Sequence, residues 1–186
     1  SSAASDVYKR QEVRALQAQI NPHFLYNTLD TISWMARDYG ADDIVRLVDA
    51  LTSMFRIGLS HGKDFISVQE EITHVSNYLY IQKIRYKDKL NYAVDVPAEL
   101  SGCLVPKLIL QPLVENAIYH GMEFMDGDGE IRVRSYVGED GDLYIDVEDN
   151  GSGIPEEVCR TLLTDETRVR SKGSGIGLRN VNQRIQ

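Results

Sequence analysis

The chain has 186 residues, 42% apolar and 26% charged, with a formal net charge of −8 and a pI near 5.0. That length supports one large domain or two small ones with their own cores. The acidic balance and the lack of a Lys/Arg cluster argue against a duplex-binding face, so no nucleic-acid partner is expected. No apolar run approaches the ~18 residues of a membrane span, and no signal peptide opens the chain.

Residues 1–10 show no apolar periodicity and are expected to be a cloning remnant or disordered. From Val13, apolar residues at 13, 16, 20 and 24 have helical spacing, and a second stripe follows at Leu25, Leu29, Ile32 and Ala36. The phase slips by one residue at Pro22-His23. Proline inside a helix removes a hydrogen bond and clashes with the preceding turn. The sequence therefore predicts one helix over about 11–38, kinked at Pro22 and ended by Gly40. A second helix is expected over 42–59, with Asp42 or Asp43 as N-cap and a wide apolar face. A third has Ser67 and Glu70 in capping-box spacing, with Ile72, Val75, Leu79 and Ile84 on its apolar side. Helices in hairpin order over 11–88 read as a bundle.

After residue 88 the pattern changes. "LNYAVDV" alternates like a strand that Pro97 stops, and "PKLILQPLVENAIYHG" reads as a helix buried against a sheet and ending at Gly121. "EIRVRSYV" and "DLYIDVED" alternate with period two and are joined by residues 138–141, a hairpin signal. "IPEEVCRTLL" reads as a short helix, followed by a polar loop and a glycine-rich turn that opens a last helix. The fold class is thus α+β, with two domains joined near residue 88. Cys103 and Cys159 lie far apart without CxxC spacing and read as small buried hydrophobes in a reducing compartment.

Three segments carry chemistry. In "DVEDNGSGI", Asp149 shares the parity of Leu143, Ile145 and Val147, so its carboxylate is expected on the buried side of the strand. A buried carboxylate needs a specific donor, and the exocyclic amine of an adenine would serve. Gly151 and Gly153 would let the chain turn sharply under the ring. The alternative is a surface turn in which Asp149 caps the helix at "PEEV". In "SKGSGIGLRN", Gly173, Gly175 and Gly177 precede a helix, so their amides can cradle phosphates. The polar loop before them disfavours a dinucleotide-binding unit, which wants a buried strand there. In "QPLVENAIYHG", Asn116 sits in an otherwise apolar helix, sharing a face with Pro112 and His120. A Mg²⁺ ion bridging phosphates accepts an amide oxygen well; the alternative is a buried Asn bonded to backbone.

Taken together, Asn116, Asp149-x-Gly151-x-Gly153 and the 173/175/177 glycines resemble, in order, the N, G1 and G2 boxes of the GHKL ATPase superfamily. That superfamily includes DNA gyrase B, heat-shock-90 chaperones, mismatch-repair ATPases and sensor histidine kinases. The resemblance implies an α/β-sandwich ATP-binding domain over 89–186, with residues 154–172 as the ATP lid. Gyrase-like members place a water-activating glutamate four residues before the asparagine; here that position is Pro112. Glu115 points about 100° away from Asn116 on a helix. A water-using ATPase is thereby disfavoured against phosphoryl transfer to a side chain.

"ALQAQINPHFLYNTLD" closely resembles the phosphoacceptor segment of LytS-type sensor histidine kinases, as do "SVQEEITHVSNYLYIQKIRYKDKL" and "VPKLILQPLVENAIYHG" the stretches that follow it. The resemblance implies a dimerisation and phosphotransfer domain over 11–88, with His23 as phosphoacceptor and Asn27 orienting water or phosphate. It implies ATP and Mg²⁺ as cofactors, with Mg²⁺ at Asn116, adenine at Asp149, and phosphates met by His120, Lys172 and the G2 glycines. Arg168 and Arg170 are further candidates for phosphate charge, since Tyr119 stands where a basic residue is common. Phe24 stands where many of these kinases place an acidic residue. The implied protein is a homodimeric protein-histidine kinase that passes phosphate to a response-regulator receiver domain. It would act on the cytoplasmic side, with missing N-terminal parts in the bacterial plasma membrane and the catalytic domain cut short after the G2 box. The alternative is a degenerate kinase acting as a dimeric nucleotide-binding scaffold.

Overall fold

In the computed structural model, residues 21–59, 63–122 and 127–161 are described, together with 181 and 185. Chain contacts divide it into two units, residues 1–61 and 62–186.

The first unit is a helical hairpin, α1 (Pro22–Asp38) and α2 (Asp42–Gly58). Pro22 is the first residue of α1. Asn21 is its N-cap, with φ −73° and ψ 105°, and its Oδ1 accepts the N–H groups of His23 (3.1 Å) and Phe24 (3.3 Å). An N-cap is extended in backbone while its side chain satisfies the first free amides. Proline suits the next position, where an N–H would have no acceptor within the helix. The expectation of one kinked helix over 11–38 is corrected accordingly: the phase slip marks a helix start. Residues 11–20 lie outside those described.

Gly40, at φ 67°, follows the end of α1, and its N–H donates to the Arg37 carbonyl at 2.9 Å. The α2 helix has Ala41, without a side-chain cap, in place of the expected aspartate cap; Asp42 and Asp43 instead sit in the first turn, where the helix dipole favours them. Leu29, Ser33 and Ala36 of α1 and Val48, Ala50 and Thr52 of α2 are buried as the helices pack. Ser33 Oγ donates to Asp49 Oδ1 at 2.9 Å, and the Tyr26 hydroxyl donates to the Phe55 carbonyl at 3.3 Å.

The second unit is a two-layer sandwich. Its sheet runs β2 (Leu90–Asp95), β4 (Gly129–Val137), β5 (Leu143–Asp149), with β2 parallel and β5 antiparallel to the central β4. Residues 138–141 make the expected hairpin, with Gly138 N–H donating to the Asp142 carbonyl at 2.9 Å. On β4, Ile131, Val133 and Ser135 are buried, while Glu130 and Arg132 face water. Helices α3 (Val68–Tyr86) and α4 (Leu110–Asn116) cover the buried face. The short strands β1 (Phe65–Ser67) and β3 (Leu104–Pro106) pair antiparallel as a separate ribbon against α3, and α5 (Glu156–Thr161) follows the sheet.

The capping box of α3 forms as expected: Glu70 N–H donates to Ser67 Oγ at 3.1 Å and Ser67 N–H to Glu70 Oε2 at 2.9 Å. Val68, Val75 and Leu79 of this helix are wholly buried with Leu90, Val114, Ile131 and Val133. So α3 completes the sandwich core, and the division at 61/62 falls before the join expected near residue 88. Ile84 is exposed at the far end of α3. Cys103 is half-buried and Cys159 exposed, which corrects the expectation that both are buried.

Candidate functional site

Asn116 is the last residue of α4 and is half-buried. The helix widens immediately afterwards into a π turn, Ala117–Met122. Single π turns of this kind concentrate at functional sites. Among the described residues the Asn116 amide makes no hydrogen bond, so the backbone-bonded alternative does not describe it. Its oxygen is available to a cation. Ala117 and Ile118 are buried and anchor the turn against β4 and β5. Tyr119 is exposed, and of His120 only the backbone is described.

Asp149 closes β5, opposite Ile131. It keeps the core-facing parity of Val147 but is exposed. The expected burial is corrected. Its Oδ1 accepts the Gly151 N–H at 2.8 Å, closing a tight turn. It caps no helix. Gly153, at φ 76°, takes a conformation that side chains disfavour, which is why the turn places glycine there. The adjacent Asn150 holds the two strands together: its Oδ1 accepts from Glu130 N–H at 2.8 Å and its Nδ2 donates to the Asp128 carbonyl at 2.9 Å. Sequence reading passed over it, although an Asn after a strand is a common turn signal. Glu130, Arg132, Glu148, Asp149 and Asn150 line a shallow hollow at this end of the sheet.

Pro112 lies one turn before Asn116 on α4. Glu115 is exposed and accepts a hydrogen bond from Gln111 Nε2 at 2.7 Å, so neither stands as a base over the Asn116 position. Lys172, Gly173, Gly175, Gly177, Arg168 and Arg170 lie outside the described residues.

In the first unit, His23 is exposed in the first turn of α1, one residue past Pro22, and Asn27 lies exposed one turn further. Phe24, Ile32, Met35 and Tyr39 are also exposed and fall within an arc of about 80° on a regular helix, centred about 100° round from Leu29 and about 140° from Ser33.

Two buried groups escaped the sequence reading. Glu71 and His74, on the inner face of α3, are 1% and 3% exposed. Burial, aided by the charge of Lys107, pushes the His74 pKa down to about 4, so the ring is neutral. Both continue the Val68–Ile72–Val75 stripe at helical spacing, which is the signal that could have found them.

Two family models match this frame. One, described as "Histidine kinase", matches residues 11–90, and the other, "Histidine kinase-, DNA gyrase B-, and HSP90-like ATPase", matches 105–186. The chain thus matches a histidine-kinase segment followed by an ATPase domain of the kind shared by histidine kinases, DNA gyrase B and HSP90. Sensor histidine kinase YesM of Bacillus subtilis is 38% identical over 96% of this chain and 29% of that protein. Sensor protein LytS of Staphylococcus saprophyticus is 36% identical over 97% of this chain and 30% of its own length. Sensor histidine kinase BtsS of Escherichia coli K12 is 34% identical over 95% and 29%. The chain is similar to these sensor histidine kinases over nearly all of its length. It spans about three-tenths of the length of these curated relatives.

Proposed function

We propose that the chain carries out ATP-dependent phosphorylation of its own His23 and passes the phosphoryl group to an aspartate of a response-regulator receiver domain. The observation that carries this reading is the exposure of His23 in the first turn of a helix opened by Asn21 and Pro22. Proline there starts the helix with the imidazole next to its N-terminus. The helix dipole favours negative charge at that end, so it stabilises a phosphoryl group arriving on His23. An imidazole nitrogen forms a bond to the γ-phosphorus, the bond to the β–γ bridging oxygen breaks, ADP leaves, and the ring proton passes to water.

The residues present fit the nucleotide. The exposed carboxylate of Asp149 can accept the exocyclic amine of adenine, and the amide of Asn116, without a partner among the described residues, suits Mg²⁺. Magnesium would neutralise phosphate charge, and the chain's own contribution is positioning. Because Pro112 is no base and Glu115 is exposed and bonded to Gln111, transfer to histidine is favoured over hydrolysis. Asn27, one turn from His23, is placed to orient phosphate or water. The exposed stripe of α1 supports a homodimer in which two hairpins make a four-helix bundle. Among the described residues no helix is long and apolar enough to cross a membrane. We place the chain on the cytoplasmic side of a membrane-held sensor, as part of a longer protein.

The test is incubation with γ-labelled ATP and Mg²⁺. Wild type should gain acid-labile label, and His23→Gln should gain none while binding ATP as before. Label on His23→Gln would reject this acceptor.

A further inference from the structure

We propose that Glu71 is a positioning residue for Asn116, setting through the first turn of α4 where the asparagine stands; the inference rests on the reading of Asn116 as the magnesium-binding residue. The Glu71 side chain is buried among Val68, Ile72 and Val75 of α3, where a carboxylate is costly unless both oxygens are met. Both are. Oε2 accepts the Leu108 N–H at 2.8 Å, and Oε1 accepts the Leu110 N–H at 2.9 Å.

Those two amides frame the start of α4, which has no cap of its own. Ile109 at its N-cap position is apolar, already has helical backbone angles (φ −89°, ψ −28°), and makes no side-chain cap. The cap comes instead from another helix, 39 residues away in sequence. Leu108 is held at φ 58°, a left-handed conformation that leucine keeps only when its surroundings enforce it. A two-oxygen clamp on one side and a strained residue on the other leave the first turn a single orientation. From Leu110 to Asn116 the helix rises about 9 Å without a break, so a rotation at its start reaches Asn116 undiminished. An apolar residue at 71 would fill the same space without fixing that angle.

Glutamine tests this at nearly constant size. It offers one acceptor oxygen, and its NH₂ would face the other backbone N–H. Binding of a non-hydrolysable ATP analogue is measured by calorimetry with and without Mg²⁺, on wild type, Glu71→Gln, Asn116→Ala and the double variant. Circular dichroism checks the fold. Disturbing a group that orients a metal ligand typically costs about 10–100-fold in metal affinity. Glu71→Gln should therefore keep the magnesium-free affinity and lose about 10–100-fold of the magnesium-dependent gain. The double variant should be no worse than Asn116→Ala. If a folded Glu71→Gln keeps the full gain, or loses affinity equally with and without Mg²⁺, the inference is overturned. If Asn116→Ala keeps the gain, the magnesium reading fails and this inference falls with it. Should Glu71→Gln not fold, Glu71→Asp takes its place with the same expectations, because its shorter carboxylate keeps the charge but cannot reach both amides.

Discussion

The helical hairpin of residues 22–58 and the sandwich of residues 65–161 solve burial in opposite ways. The sandwich shuts Leu79, Leu90, Val114, Ile131 and Val133 wholly away from water between two helices and a sheet. The hairpin buries only one stripe on each helix, and much of that stripe is small or polar: Ser33, Ala36, Ala50 and Thr52. Several of its large side chains face outward, with Trp34 74% and Tyr39 85% exposed. Two helices can hide one face each, whereas a layered sheet encloses a core. The difference bears on where each half gets its stability: the sandwich from itself and, in the proposed dimer, the hairpin from a second chain. It also matches the proposed chemistry, with an acceptor left open on a surface helix and a nucleotide held at a sheet end.

The comparison breaks most sharply in the sandwich. Leu79→Ala should lower the stability of that unit by about 2–5 kcal/mol, the usual cost of emptying a buried leucine site. Chemical denaturation followed at the two units separately should show the hairpin transition unmoved. The converse is Met35→Glu, on the exposed stripe of α1. It should weaken dimerisation by about 1.5–3 kcal/mol per buried side chain lost and leave the sandwich transition in place. Light scattering across a dilution series reads this directly, and an unchanged dimer would remove the stripe from the interface.

A third prediction concerns pH. Above pH 6.5, His74 is neutral in both folded and unfolded chains and contributes no pH dependence. Between pH 6.5 and about 4 the unfolded chain takes up a proton that the folded chain refuses. Stability therefore falls as pH falls through that window, on the order of 2–3 kcal/mol in all at ~1.4 kcal/mol per pH unit. Urea midpoints of the sandwich should show this slope, and His74→Gln should flatten it. The smallest effects lie at the start of α1. Asn21→Ala should destabilise the hairpin by about 1 kcal/mol through loss of the cap. Pro22→Ala should change it by less than about 1 kcal/mol, because no helical acceptor awaits the restored N–H. A large gain from Pro22→Ala would mean that the proline interrupts a longer helix after all.

Much of this was legible in the sequence, wherever the signal was local. Ser67 and Glu70 announced the cap of α3, and period-two alternation with glycines at 138 and 141 announced the β4–β5 hairpin. Local rules misjudged Pro22 because a helix start and a kink give the same phase slip; the extended backbone of Asn21 decides between them. They could not show β1 and β3, whose three residues each carry no period and form only by pairing with each other. Parity put Asp149 on the right face of β5, but whether that position is covered is a tertiary fact. Glu71 hid beside Glu70. Two adjacent glutamates read alike in a first turn, and only the amides of Leu108 and Leu110, brought from far along the chain, set them apart.

The most direct measurement of the central claim is the site and chemistry of the phosphate. The chain is incubated with γ-labelled ATP and Mg²⁺, digested with trypsin under mild alkali, and its labelled peptides are sequenced by mass spectrometry. Residues 15–37 form one peptide between Arg14 and Arg37, and His23 is its only histidine. The account predicts label on that peptide, stable in base and lost in acid, localised to His23 and absent when Asp149 is replaced by Asn. Acid-stable label on a hydroxyl, base-labile label on a carboxylate elsewhere, or release of free phosphate with the chain unlabelled, would contradict it.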